Sequence, residues 1–100
     1  MTISKIDKKT FEFQAITETL QRTNLKELTT DSEVNLEPAL TLNQSLDGHL
    51  VQGHVDEEGT VENLPTKENK YTLTIKFPTT LAQLIAFKGS ITINGISLTV

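Results

Sequence analysis

The chain has 100 residues, 36% of them hydrophobic and 22% charged, with a net charge of -4 and no cysteine. That length makes one small domain with a modest core, and a pI of about 5.0 is unsuited to nucleic acid, whose phosphates require a basic face. No disulfide, thiolate nucleophile or zinc-thiolate site can form without cysteine. No apolar run approaches the roughly 20 residues of a membrane span, and Met1–Thr10 carries three lysines and an aspartate where a signal peptide has its apolar stretch. A cytoplasmic protein, with neither nucleic acid nor membrane as partner, is expected.

In chain order, Phe11-Glu12-Phe13-Gln14-Ala15 comes first, alternating apolar and polar as a strand does. Glu18–Leu28 reads as a short helical turn. After a loop at Asn43–Asp47, His49 to Val55 and Thr60 to Glu62 read as strand pieces, and Asn63–Lys70 as a second loop. Tyr71-Thr72-Leu73-Thr74-Ile75-Lys76-Phe77 alternates without an error, so one face is buried and the other wet. Thr80-Leu81-Ala82-Gln83 fits a capping box opening a helix over Leu81–Phe87, with Gly89 placed to end the turn. Ser90–Ile93 and Ile96–Val100 flank Asn94-Gly95, a dipeptide suited to the positive φ angles of a tight hairpin. Many short strands with one or two short helices predict an all-β fold, a small antiparallel barrel.

The segment Gly48-His49-Leu50-Val51-Gln52-Gly53-His54-Val55-Asp56 holds both histidines. On a regular strand His54 and Asp56 share one face with Leu50 and Gln52, and His49 lies on the other with Val51 and Val55. The two imidazoles then point apart, which disfavours a shared metal. An H-x-D pair alone is a weak zinc signal, and a site made from His54, Asp56 and a distant third ligand is the alternative to two polar strand residues beside glycines. Gly53 inside a strand marks a bulge or a place where a ligand meets bare backbone.

The second cluster runs from Lys88 to Val100. Ser97 and Thr99 share a strand face opposite Ile96, Leu98 and Val100, so two hydroxyls line up where a polar heterocycle could be hydrogen-bonded. A serine nucleophile needs an adjacent base held by a third group, and Gly95-Ile96-Ser97-Leu98-Thr99 departs from the hydrolase elbow at its last position. On patterning alone, Ser97 and Thr99 form the wet face of a strand and Lys88 is a solvated cation.

Taken together, Gly48–Asp56, Lys88-Gly89-Ser90-Ile91 and Asn94-Gly95-Ile96-Ser97-Leu98-Thr99-Val100 resemble the lumazine-binding repeat of the riboflavin synthase family. Glu18-Thr19-Leu20, Thr23-Asn24-Leu25 and Val34-Asn35-Leu36-Glu37 are similar to it as well, and the matches run in order over nearly the whole chain. Members of that family hold two similar Greek-key six-stranded antiparallel barrels in tandem. Residues 1–42 resemble the end of the first repeat and residues 43–100 the start of the second. The resemblance therefore implies a chain drawn from the middle of such a protein, without the M-F-T-G-I-V-like opening strand, the second barrel's later strands or the terminal helix. The expected architecture is a single lumazine-binding barrel over residues 1–100, a permuted composite of two half-repeats, closed by one chain or by exchange with a second copy. Val100 falls inside a strand-like pattern, so a natural end there is not expected.

The resemblance also implies a reaction, the dismutation of two 6,7-dimethyl-8-ribityllumazine molecules into riboflavin and 5-amino-6-ribitylamino-uracil. It uses no metal and no added cofactor. The proton that must leave is that of an acidic methyl group, and the protein mainly holds two flat heterocycles in reacting geometry, worth roughly 7–11 kcal/mol. Residue by residue, the resemblance places the substrate-binding segment on Gln14, Ala15, Ile16, Thr17, Glu18 and Thr19, together with Gly53, His54, Val55, Lys88, Ser97, Leu98 and Thr99. His54, Ser97 and Thr99 are the catalytic candidates, His54 because imidazole titrates near neutrality; His49 is left a structural residue. Thr17 stands where the family usually has proline, Gln14 where the first repeat usually has aspartate, and Asn94 where the second usually has aspartate. Ser97, in place of cysteine, is second-repeat-like, so the pocket is a hybrid. Because two lumazines must meet between two barrels, a one-barrel chain would act as a homo-oligomer, a dimer or trimer, with pockets facing. The alternatives are a module that binds lumazine or flavin without turnover, and an inactive fragment.

Overall fold

The computed structural model describes residues 1–100 and divides the chain into two units, Met1–Ser32 and Glu33–Val100. Strands in three two-stranded antiparallel sheets, joined by short helices, make up its regular structure.

In the first unit, β1 (Ile3–Ile6) pairs with β2 (Phe11–Phe13), and the hairpin closes where the Asp7 N–H donates to the Thr10 carbonyl at 2.8 Å. The strand at Ile3–Ile6 was not legible in the alternation of Phe11 to Ala15. An irregularity in register between Ile3 and Lys5 blurs its period. Phe11 and Phe13, two residues apart and so on one face, stack with centroids 6.1 Å apart. Across the ladder Lys5 Nζ meets Glu12 Oε1 at 3.3 Å on an exposed surface.

The helical turn expected over Glu18–Leu28 is two pieces, α1 (Thr17–Arg22) and a 3-10 turn at Asn24–Glu27. Thr23 divides them: its backbone is extended, its hydroxyl donates to the Thr19 carbonyl at 2.6 Å, and its Oγ1 accepts the Leu25 N–H. A threonine that caps the next turn with its side chain favours that break over helix continuation. In α1, Glu18 in the first turn pairs with Arg22 in the last, each at the end where the helix dipole favours its sign.

In the second unit, β3 (Thr60–Asn63) pairs with β4 (Thr74–Lys76), and β5 (Ser90–Ile93) with β6 (Ile96–Thr99). The strand expected over Tyr71–Phe77 is shorter at its start because Lys70 and Tyr71 both have positive φ, 57° and 59°, a turn conformation that breaks the pleat. That loop is organised by Asn69. Its Oδ1 accepts the Thr66 and Thr72 N–H groups at 2.7 and 3.3 Å, and its Nδ2 donates to the Leu64 and Thr72 carbonyls at 2.8 and 3.0 Å.

The helix expected over Leu81–Phe87 is instead a 3-10 segment at Thr79–Leu84 with no side-chain cap, so the Thr80–Gln83 capping box does not form. Pro78 precedes it, and the Pro78 carbonyl accepts the Leu81 N–H at 3.0 Å, an i to i+3 bond that sets the tighter winding. Two β-branched threonines at the start add to the preference against α-helix. The segment ends at Leu84 with Ile85 as its cap, short of Gly89; Gly89 instead closes a separate turn, where its N–H donates to the Ala86 carbonyl at 2.8 Å and a Cβ would lie 2.8 Å from that oxygen.

The β5–β6 hairpin follows the expectation closely. Asn94 and Gly95 take positive φ, 48° and 84°, and close a two-residue loop with Ile93 opposite Ile96. The strand expected over His49 to Val55 does not form: no strand lies between Glu27 and Thr60. Gly48 and Gly53 have φ of +104° and +88°, outside the extended region, and they turn the backbone where a ladder would need it straight. The opposed faces assigned to His49 and His54 lapse with that strand.

No residue of either unit is buried. Apolar side chains on the strands, Phe11 and Phe13 in the first unit and Val61, Ile96 and Leu98 in the second, stay exposed. No helix is long and apolar enough to cross a membrane.

Candidate functional site

The β5–β6 hairpin carries the best-built cluster of polar side chains. Its register puts Ser90 opposite Thr99 and Thr92 opposite Ser97, so four hydroxyls occupy one face while Ile91, Ile93, Ile96 and Leu98 occupy the other. Alternation in the sequence accounts for this completely once the Asn94-Gly95 turn sets the register. Pairing extends past the strand ends. The Lys88 N–H donates to the Val100 carbonyl and the Val100 N–H to the Gly89 carbonyl, each at 3.0 Å. Lys88 is thus paired through its backbone to the end of the hairpin that carries Ser97, Leu98 and Thr99. Its backbone is left-handed at φ 61°, and its ammonium lies 5.6 Å from the centroid of the Phe87 ring.

Onto the hydroxyl face comes a residue that the sequence assigned to structure alone. His49 Nδ1 lies 2.6 Å from Ser97 Oγ, and His49 Nε2 lies 3.1 Å from Thr92 Oγ1. All three side chains are half-buried. Gly48 makes the approach feasible: a Cβ there would lie 2.6 Å from Ser97 Cβ and 2.7 Å from its Oγ. The signal in the sequence was the glycine directly before a histidine, but nothing in the sequence says which hydroxyls that histidine meets.

His54 takes no part in this hydrogen-bonded cluster. Gly53, His54 and Val55 are exposed and belong to no strand, and the His54 imidazole makes no hydrogen bond. No group of three or more His, Asp or Glu side chains could hold a metal ion, so the His54–Asp56 pair lacks a third ligand. In the first unit, Gln14, Ala15 and Ile16 form the extended approach to α1, and Thr17, Glu18 and Thr19 open it. Glu18 there is engaged by Arg22, and the Thr19 carbonyl by Thr23. Shallow concavities lie beside Glu33, Val34 and Asn35 and over Glu58, Thr60, Glu62, Lys76, Phe77 and Pro78; neither includes an expected site residue.

Chemically, the hairpin offers donors and acceptors for a neutral polar ligand, one cation at its end and one imidazole bound to two hydroxyls.

The family model for the lumazine binding domain matches residues 1–39 and 52–100. Riboflavin synthase of Mycobacterium tuberculosis is 46% identical over 90 residues, which cover 90% of this chain and 45% of that protein. Riboflavin synthases of Actinobacillus pleuropneumoniae and Bacillus subtilis are 41% and 36% identical over 100 residues, the whole of this chain and 46% of each of theirs. The chain spans about half the length of the curated relatives it matches. No solved structure matches it. With its two matched segments together covering most of its length, the chain belongs to the lumazine-binding domain family.

Proposed function

We propose that this chain binds 6,7-dimethyl-8-ribityllumazine and acts as a riboflavin synthase, converting two lumazines to riboflavin and 5-amino-6-ribitylamino-uracil in the cytoplasm. The observation that carries the proposal is the hydroxyl face of the β5–β6 hairpin, with Lys88 at its end, in a chain of the lumazine-binding family. Ser97 and Thr99 are two residues apart on β6, about 7 Å along the strand, and present two hydroxyls to a flat polar ring. Leu98 faces the other way, where it would pack beneath the ring's support. Gln14 to Thr19 in the first unit, and Gly53, His54 and Val55 in the second, are each proposed as substrate contacts from the family resemblance, and His54, free of internal hydrogen bonds, is the candidate to move a proton.

The reaction requires two bound lumazines, so the acting species is a homo-oligomer with sites facing each other. The exposed strands support this. Isolated two-stranded hairpins are marginally stable in water, and uncovered apolar faces such as that of Ile96 and Leu98 gain about 25 cal/mol for each Å² they bury. A composite six-stranded barrel over residues 1–100, completed within one chain or by exchange with a second copy, is the arrangement proposed to cover them. A second function, binding without turnover, is favoured by Gln14, which supplies no ionisable group at a position where the family's first repeat has aspartate.

The test is incubation of purified protein with 6,7-dimethyl-8-ribityllumazine, following lumazine and riboflavin absorbance together with ligand fluorescence. Riboflavin formed in proportion to protein is the expected result. Changed lumazine fluorescence without riboflavin would replace the enzyme with the binding module. No change in either would overturn both.

A further inference from the structure

We infer that His49 is a positioning residue: it takes the hydrogen bond of the Ser97 hydroxyl and so leaves Ser97 Oγ facing the bound heterocycle as an acceptor. This rests on the lumazine-binding role proposed above. It also goes beyond the family match, since His49 lies between the two matched segments.

Ser97 Oγ lies 2.6 Å from His49 Nδ1, and Thr92 Oγ1 lies 3.1 Å from His49 Nε2. A neutral imidazole has one donor and one acceptor nitrogen, so it can satisfy both hydroxyls at once. In the proposed tautomer the Ser97 O–H donates to Nδ1, and Nε2–H donates to Thr92. A hydroxyl has one proton and two lone pairs. With its proton committed to His49, Ser97 Oγ meets a ligand only through its lone pairs, and the matching ligand atom is an N–H or O–H donor such as a ring imide or a ribityl hydroxyl.

The cluster is built rather than incidental. Thr92 and Ser97 are direct cross-strand partners, so the two hydroxyls that clasp the imidazole are held at fixed spacing by the ladder. Gly48 admits the histidine because any side chain there would strike Ser97. Thr99, next on the same face, remains outside the clasp.

Two measurements test this. The first is the imidazole nitrogen spectrum of the protein without ligand. The chain has two histidines, and the unbonded His54 is the internal reference. His49 is expected as a single Nε2–H tautomer, and Ser97→Ala or Thr92→Val returns it to a tautomer mixture like that of His54. The second is lumazine affinity by fluorescence titration. His49→Ala and Ser97→Ala should each weaken binding about tenfold, and the double variant no further than either single. His49→Asn, whose amide oxygen can stand in for Nδ1, should stay within about threefold of the native affinity, a rescue that a purely space-filling histidine would not show. A tautomer mixture at His49 in the native protein, or losses that multiply in the double variant, would overturn the role of His49 while leaving lumazine binding intact. A native protein that holds the single tautomer and binds no lumazine would overturn the lumazine assignment and, with it, the ligand given to Ser97.

Discussion

Gly48 and Gly53 make a matched pair, and replacing each with alanine separates backbone strain from contact. Both have positive φ, +104° and +88°. Alanine at either position incurs about 1–3 kcal/mol of backbone strain. At Gly53 nothing lies within 4 Å of the new Cβ, so strain is the whole effect. At Gly48 the Cβ would lie 2.6 Å from Ser97 Cβ, and both atoms are fixed to backbone, so no rotamer change relieves the clash. The Gly48 segment must lift from the hairpin, breaking the His49 bonds to Ser97 and Thr92 at about 1 kcal/mol each. Gly48→Ala should therefore cost about 2 kcal/mol more than Gly53→Ala. Urea denaturation followed by far-ultraviolet circular dichroism measures the difference. Adding Ser97→Gly removes the atoms that are struck, so in that background the two alanine substitutions should cost the same. Equal losses in the native background would refute the close approach of Gly48 to Ser97.

Further outcomes follow from single sites. Asn69→Ala removes four side-chain hydrogen bonds that hold the loop between β3 and β4 and should destabilise by about 2–4 kcal/mol; Asn69→Asp, which keeps the acceptor and loses the donors, should cost roughly half as much in the same urea assay. Gly95→Ala places a side chain at φ 84° in a two-residue hairpin loop and should cost about 1 kcal/mol, with amide exchange quickening first in β5 and β6. Glu12→Gln breaks an exposed ion pair with Lys5 and should change the unfolding free energy measured in urea by about 0.5 kcal/mol or less; a larger loss would mean the pair is shielded from solvent. His54→Ala should impair lumazine turnover without changing stability, since its imidazole makes no internal hydrogen bond; unchanged turnover and affinity would remove it from the site.

What could be read from the sequence was local. The Asn94-Gly95 turn and the alternation on either side of it determined the β5–β6 register, and with it the row of hydroxyls at Ser90, Thr92, Ser97 and Thr99. Period-2 patterning also found the cores of β2 and β4, but not their limits, because Lys70 and Tyr71 adopt turn angles that no composition rule requires of them. Capping patterns were less dependable. Thr80–Gln83 has the spacing of a capping box, yet Pro78 and paired threonines wind the segment as a 3-10 turn.

Family membership was also present in the sequence, because order and spacing of short motifs survive whatever the backbone does between them. The histidines were different. Reading His49 to Val55 as a strand put the two imidazoles on opposite faces and chose His54 as the chemical one. The structure bends the segment at Gly48 and Gly53 and lays His49 across Thr92 and Ser97, more than forty residues later in the chain. Periodicity describes how neighbours along the chain alternate. It carries no information on which distant side chain a bend will deliver, and that pairing is decided only by tertiary structure.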